Sequence, residues 1–247
     1  MRNRLIIIPT YNESESVPLL IRRIFKYIPN PNILVIDDGS PDKTAEVIRR
    51  LQREFPALHQ LERKTKSGLG SAYRTGFAWG LERGYEELIE MDADLSHRVR
   101  DLRKMIDAKE LQPDADLVIG SRWMSGGKTE NWSKGRELLS RTANLYVRAM
   151  LGMGVKDSTA GFRIYSASIL RRLNLGVIKS EGYSFQIEMT RAVHQVGGKI
   201  IEVPITFRER EYGVSKMSKN IAREAMMLVT IWGLSRIFTS SKRHPQN

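Results

Sequence analysis

The chain has no cysteine, which excludes disulfides and thiolate metal sites and suits, without requiring, a reducing compartment. Its four histidines are scattered, and none has a metal-ligand spacing such as His-Glu-x-x-His, which argues against a zinc hydrolase. No apolar run reaches the roughly 20 residues that a bilayer-spanning helix needs. The run Leu5–Ile8 stops at Pro9, too short even for a signal peptide, and the longest apolar stretch, inside 222–238, also falls well short. There is no Gly-x-x-x-x-Gly-Lys-Ser/Thr phosphate loop and no Gly-x-Gly-x-x-Gly after the first apolar run; Gly68-Leu69-Gly70 lacks the third glycine. Carboxylates are comparatively scarce, 28 Asp and Glu against 40 Lys and Arg, for a net charge of +12. That excess suits nucleic acid, an anionic membrane surface or a phosphate-rich substrate. Spread along the chain with no nucleic-acid-binding motif, it selects none of them.

What is present is an alternation. At 247 residues the chain is long enough for one large α/β domain. Short β-rich apolar runs at 4–10, 32–38, 58–63, 88–92 and 115–120 alternate with helical spacing at 15–27, 42–55, 68–83 and 100–111. This is the pattern of a mostly parallel central sheet flanked by helices. The second half is less regular: a Gly- and Ser-rich loop at 120–135, helices at 136–151 and 181–196, a strand at 199–207 and a basic loop at 208–219. A last helix over 222–238 is apolar, with Arg223, Arg236, Lys242 and Arg243 around it. It fits either a helix docked on the core or an interfacial amphipathic helix with Trp232 at headgroup level.

The chemistry concentrates where strands end. Leu88-Ile89-Glu90-Met91-Asp92-Ala93-Asp94 closes an apolar run on two carboxylates one residue apart. Open α/β sheets bind ligands at the carboxyl ends of their strands. There Asp92 and Asp94 offer hard oxygen ligands to Mg²⁺ or Mn²⁺; the alternative is an ordinary solvated turn. Pro9-Thr10-Tyr11-Asn12-Glu13 ends the first strand and Asp37-Asp38-Gly39-Ser40 the second, the place of an acid that binds the polar edges of a nucleotide. Gly120-Ser121-Arg122 and the segment Arg208 to Lys216 supply cations suited to phosphate oxygens.

Taken in order, these motifs resemble those of the family 2 glycosyltransferases of GT-A fold, and among them the dolichol- or polyprenol-phosphate mannose synthases. The resemblance runs from Leu5 to about Leu234 and extends to Asp157-Ser158-Thr159-Ala160-Gly161-Phe162-Arg163, Glu181 to Glu188, and Glu202 to Phe207. It implies a GT-A (Rossmann-like) catalytic domain over 1–215, then a C-terminal amphipathic helix and tail over 216–247 with no transmembrane domain. It assigns Pro9, Tyr11, Glu13, Ile36 and Asp38 to the nucleoside, and Asp92, Ala93, Asp94, Arg210 and Lys216 to the rest of the donor. Asp92, Asp94 and Ser96 would hold the metal. Asp94, Arg122, Arg210 and Lys216 would act in catalysis, and Arg122, Arg136 and Ser140 would meet the acceptor phosphate. One departure is the absence of a proline soon after His97, where Arg98-Val99-Arg100 stands. It alters the turn beside the metal site rather than the ligands.

The implied reaction is inverting transfer of mannose from GDP-mannose to a polyprenyl monophosphate, with Mg²⁺ or Mn²⁺, on the cytoplasmic face of a membrane. The protein would attach peripherally, with room for a separate membrane-anchoring subunit and no nucleic-acid partner. The alternatives are the same chemistry with UDP-glucose or another nucleotide sugar, and an inactive basic module that binds membrane or RNA.

Overall fold

The computed structural model describes residues 3–210 and 219–241, with side chains described as far as 210 and from 223 to 236. Four strands come first in the chain: β1 (Arg4–Thr10), β2 (Asn32–Asp37), β3 (Leu58–Glu62) and β4 (Glu87–Glu90). They are joined by α1 (Ser16–Tyr27), α2 (Thr44–Glu54) and α3 (Leu69–Glu82). After α4 (Val99–Leu111) come β5 (Leu117–Ser121), β6 (Lys128–Glu130), α5 (Lys134–Leu151), β7 (Arg163–Ser166) and α6 (Ala167–Arg172). The chain continues with α7 (Gly182–Gln195), β8 (Ile200–Pro204), β9 (Thr206–Arg208) and α8 (Lys219–Ser241). The main sheet has the order β3-β2-β1-β4-β7-β5-β8, and β6 and β9 form a separate parallel pair.

Period-two alternation puts successive side chains on opposite faces of the sheet. Ile6 and Ile8 of β1 pack with Val17, Leu20, Ile21 and Ile24 of α1, while Leu5 and Ile7 pack with Tyr73 and Phe77 of α3. Both faces are therefore covered and the strands are apolar nearly throughout, as buried parallel strands are. Helix α3 lies unusually close to the sheet. A Cβ on Gly76 would stand 2.6 Å from Ile7 Cγ2, and one on Gly80 2.7 Å from Leu88 Cδ2. Pro9 lacks an N–H but sits past the end of β4, whose last partner on β1 is Ile7, so no ladder bond is forfeited on that side.

Three features depart from the sequence expectations. Strand β7 runs antiparallel between β4 and β5, directly after the motif Asp157–Arg163, in a stretch for which the sequence predicts no strand. The expected loop at 120–135 contains β6. The expected strand at 199–207 is split at Ile205, whose N–H donates to Ser121 while its carbonyl accepts from Lys128, so the chain passes from one sheet to the other. Helix α8 docks on the core through Ala225 and Val229, against Val147 and Leu151 of α5 and Ile187 of α7. Trp232 turns toward this cluster with Arg191 5.2 Å from its ring centroid, so it packs on protein rather than projecting outward. No described helix is long and apolar enough to cross a membrane.

Candidate active site

The carboxyl ends of β1, β2 and β4 open into a cavity of about 400 Å³, ample for a small-molecule ligand. On one side are Pro9, Thr10, Tyr11, Glu13 and Asp38, with Lys66, Gly68 and Leu69 from the approach to α3. Asp38 is held by the Arg63 guanidinium and by the Ser67 N–H at 3.2 Å, and Arg63 reaches on to Ser71 Oγ at 2.8 Å and the Gly68 carbonyl at 3.1 Å. Its neighbour Asp37 turns inward instead, accepting from Thr10 Oγ1 at 2.9 Å and from the Ser40 N–H at 2.9 Å. Glu13 accepts from Ser16 Oγ at 2.7 Å, and Lys66 Nζ stands 4.3 Å from the centre of the Tyr11 ring.

Asp92, Ala93 and Asp94 follow β4 into the same cavity. Their turn includes Leu95 at φ 64°, a left-handed conformation uncommon for a bulky residue and costing of order 1–3 kcal/mol. The Ser96 N–H then donates to Asp94 Oδ1 at 3.1 Å, and Arg210 Nη2 lies 3.3 Å from Asp94 Oδ2. Burial and the neighbouring Asp94 push the Asp92 carboxyl up, with Arg210 pulling the other way. Beneath it, burial raises the Glu90 carboxyl to about 7 against the opposing effects of Arg163 and of the Gln186 Nε2 bond at 2.9 Å. The His97 ring stacks on Phe162 with centroids 4.5 Å apart, and its Nδ1 accepts from the Asp92 N–H at 3.1 Å. Burial holds that ring well below the ordinary histidine range, so it is a neutral acceptor that fixes the turn.

The other side is cationic and aromatic. Arg122 is almost fully buried and paired bidentately with Asp157, at 2.8 Å from Nε and 2.7 Å from Nη2; Nη2 also donates to Thr159 Oγ1 at 2.8 Å. Its Nη1 has no partner among the described residues. Arg136 lies 4.0 Å from the Trp132 ring centroid and 2.7 Å from a Glu209 oxygen. Trp132 and Phe207, which also line the cavity, meet edge to face with centroids 5.5 Å apart.

Most of the residues expected at the site thus converge: Pro9, Tyr11, Glu13, Asp38, Asp92, Ala93, Asp94, Arg122, Arg136 and Arg210 all line one cavity. Ile36, Ser96 and Ser140 do not. The Ile36 side chain is fully buried under α3, where β-strand alternation directs it away from the strand-end opening. Ser96 is 1% exposed; its hydroxyl has no partner among the described residues, and what it gives the site is the backbone bond to Asp94. Ser140 lies a turn beyond Arg136, its carbonyl bound by Asn144 Nδ2 at 3.0 Å. Lys216 lies outside the described residues. The sequence marks neither Lys66 nor Trp132 for the site, and it marks Glu181 only as the start of the motif 181–188, without a role. Two aromatics in an otherwise polar loop, Trp123 and Trp132, were the available signal for one of them. Glu181 caps α3 from a distant segment, accepting from the Gly70 N–H at 2.7 Å and the Ser71 N–H at 3.0 Å, a pairing no local pattern announces.

The donor set fits a hard divalent cation. Two carboxylates, Asp92 and Asp94, face one cavity, with Arg210 Nη2 3.3 Å from Asp94 Oδ2. Among the described residues there is no group of three or more His, Cys, Asp or Glu that could hold a metal ion by itself, so protein ligands here would number two, Asp92 and Asp94.

A mostly parallel sheet with acids at its strand ends and cations facing them is the architecture of an α/β enzyme that binds a phosphorylated ligand at the carboxyl ends of its strands. The sequence profile of glycosyl transferase family 2 matches residues 5–173, and the chain belongs to that family. It is 50% identical over 231 residues to an undecaprenyl-phosphate mannosyltransferase of Micrococcus luteus, covering 94% of each chain. It is 48% identical over 231 residues to a polyprenol monophosphomannose synthase of Mycolicibacterium smegmatis, covering 93% of this chain and 86% of the relative. Among solved structures, glucosyl-3-phosphoglycerate synthase of Mycobacterium tuberculosis, in a complex with Mn²⁺, UDP-glucose and phosphoglyceric acid, shares the fold. That match has a TM-score of 0.68 at 17% identity, over 95% of this chain and 79% of that one.

Proposed function

We propose that the protein transfers mannose from GDP-mannose to a polyprenyl monophosphate with inversion at the anomeric carbon. The observation that carries the reading is a single cavity with Asp92 and Asp94 at its base, Asp38 and Glu13 on one side and Arg136 and Arg210 on the other. The names of the two relatives supply the substrate class.

An acceptor phosphate oxygen forms the new bond to the anomeric carbon as the bond to GDP breaks, and GDP departs with the electron pair. A phosphate monoester is already ionised at neutral pH, so no general base is required. Pro9, Tyr11, Glu13 and Asp38 hold the nucleoside, and Asp92 and Asp94 would hold Mg²⁺ or Mn²⁺. That ion, when bound, neutralises the diphosphate. Arg210 leaves Asp94 for the diphosphate, assisted by Lys216. Arg136 receives the acceptor phosphate, while Arg122, fastened to Asp157, presents Nη1 and fixes the aromatic wall. Positioning and charge neutralisation then account for the rate. The enzyme works peripherally at the cytoplasmic face of a membrane, alone or with an anchoring subunit.

A panel of GDP-mannose, UDP-glucose and UDP-GlcNAc against polyprenyl phosphate, with Mg²⁺ or Mn²⁺ added and then chelated, tests it. Metal-dependent formation of polyprenyl-phosphate mannose is expected. A UDP-sugar as the preferred donor would overturn the donor assignment, and full activity in chelator would overturn the metal.

A further inference from the structure

Two segments reach the cavity without a part in the chemistry described so far. The loop before β7 brings Gly161, and the second turn of α7 brings Gln186; both line the cavity. A Cβ built on Gly161 would stand 3.7 Å from Gln186 Nε2 and 3.9 Å from each Asp92 carboxylate oxygen. Those are ordinary contact distances, so the bare glycine leaves a notch about one heavy atom wide, bordered by an amide and a carboxylate. The amide is not saturated. Gln186 is 2% exposed; its Nε2 donates to Glu90 Oε2 at 2.9 Å, and its Oε1 has no partner among the described residues. A primary amide carries two N–H donors and an acceptor oxygen, and a buried polar atom left unpaired is unfavourable.

The notch is also braced from behind. Glu90, the last residue of β4, fixes the amide. Buried Arg163 ties the two walls together. Its Nε donates to the Ala160 carbonyl at 2.7 Å and its Nη2 to the Ser158 carbonyl at 2.8 Å, beside Gly161. Its Nη1 donates to Thr190 Oγ1 at 3.0 Å, one turn along α7 from Gln186.

We infer that this notch seats one hydroxyl of the transferred hexose, accepting from Gln186 Nε2 and donating to Asp92, so that Gln186 and Gly161 select the sugar. The walls choose the occupant. A carboxylate beside a neutral amide is unsuited to a phosphate, whereas a hydroxyl donates and accepts at once. Tyr11, Glu13 and Asp38 are already given to the nucleoside, which leaves the sugar for this part of the cavity. A carboxylate has two oxygens, enough for Asp92 to serve a cation and a hydroxyl together. The inference rests on the proposed nucleotide-sugar donor. A site built to hydrogen-bond a hydroxyl discriminates strongly against an analogue that lacks it.

The test compares the wild type with Gly161→Ala and Gln186→Met in Mn²⁺, by kcat/KM for GDP-mannose and by calorimetric affinity for GDP-mannose and for GDP. If UDP-glucose proves the better donor, it and UDP take their places, so a wrong donor assignment leaves the test intact. Gly161→Ala meets only ordinary contacts and keeps the fold even if loss of the Glu90 partner unfolds Gln186→Met; melting curves check both. Each substitution is expected to lower kcat/KM about ten- to a hundredfold with GDP affinity little changed. Among the monodeoxy analogues of GDP-mannose, one should fall about ten- to a hundredfold below GDP-mannose in the wild type and far less in Gln186→Met. A merely structural role does not produce that coupling. Wild-type kcat/KM in Gly161→Ala, an equal loss of GDP affinity, or deoxy analogues that fall alike in the wild type and Gln186→Met overturns the proposal. A wild type that transfers no sugar sinks the transferase reading instead, and binding then decides the notch: Gly161→Ala weakening GDP-mannose but not GDP supports it, and weakening neither overturns it.

Discussion

The first part of the fold, β1 to β4, and the second, β5 to β9, solve the same electrostatic problem differently. In the first, acids emerge from regular parallel strands, and the backbone does the positioning: Asp37 and Asp38 point opposite ways because adjacent strand residues must. In the second, cations stand just past β5 and β9 and on the first turn of α5, and are aimed by other side chains. Asp157 holds Arg122, Glu209 holds Arg136, and Asp94 itself holds Arg210. A carboxylate at a strand end is cheap to place. A guanidinium at the end of a long flexible side chain must be braced.

That contrast can be broken where it is sharpest. Asp94→Ala should lower sugar transfer by about 10²–10³-fold or more in a radiolabelled-donor assay, with an unchanged melting curve; near-normal turnover would remove Asp94 from the donor site. Asp157→Asn attacks the brace instead of the strand, leaving Arg122 buried without a counter-charge. It should cost about 3–5 kcal/mol in chemical denaturation, and pairing it with Arg122→Met should recover a large part of the loss.

Arg136→Ala should raise KM for the acceptor by about ten- to a hundredfold, as loss of a charged hydrogen bond worth about 1.5–3 kcal/mol implies. The donor KM should hold, and a rise in both would erase the division between the halves. Glu181→Gln removes the charged cap from α3 and should cost about 1 kcal/mol, read as a small fall in the denaturation midpoint.

The smallest effect is one of pH. Burial would raise the Asp101 carboxyl, but hydrogen bonds from Arg98, Lys104 and the Thr206 N–H outweigh it and hold it below its usual 3.8. The stability it contributes is therefore present above that value and lost as the pH falls through the lower native one. Asp101→Asn should flatten the acid limb of the stability curve below about pH 4 and leave the neutral region lower and level.

The two halves also differed in how much of them could be read beforehand. Strands β1, β2 and β4 are apolar runs that end in acids, and buried parallel strands have little other choice. Strand β7 is Arg-Ile-Tyr-Ser, too short and too polar at its ends to announce a strand. Arg163 is nonetheless wholly buried, because the Ala160 and Ser158 carbonyls, Tyr165 Oη and Thr190 Oγ1 accept its hydrogen bonds. Three of those partners lie within five residues of Arg163, but in sequence they look like an ordinary loop, and the fourth, Thr190, comes from α7 27 residues on. The break at Ile205 was invisible for a related reason: the alternation of side chains continues while the backbone changes its partner. The acids of the site were legible as strand-end residues; the bracing of the cations was not, since Asp157 and Glu209 lie far along the chain from the arginines they hold.

The antiparallel β7 has a consequence for the order in which the protein can be made. As the chain leaves the ribosome, β1 to β4 find their neighbours among themselves, each pairing with a strand already synthesised or next to arrive. Strand β5 has no such luck: it pairs only with β7 and β8, both of which come after the whole of α5. Until Arg163–Ser166 has been added and slips in beside β4, the sheet stops at β4, and the turn bearing Asp92 and Asp94 stands at an open edge. The donor half can take shape early in synthesis, but the catalytic cavity closes only when this late strand is inserted.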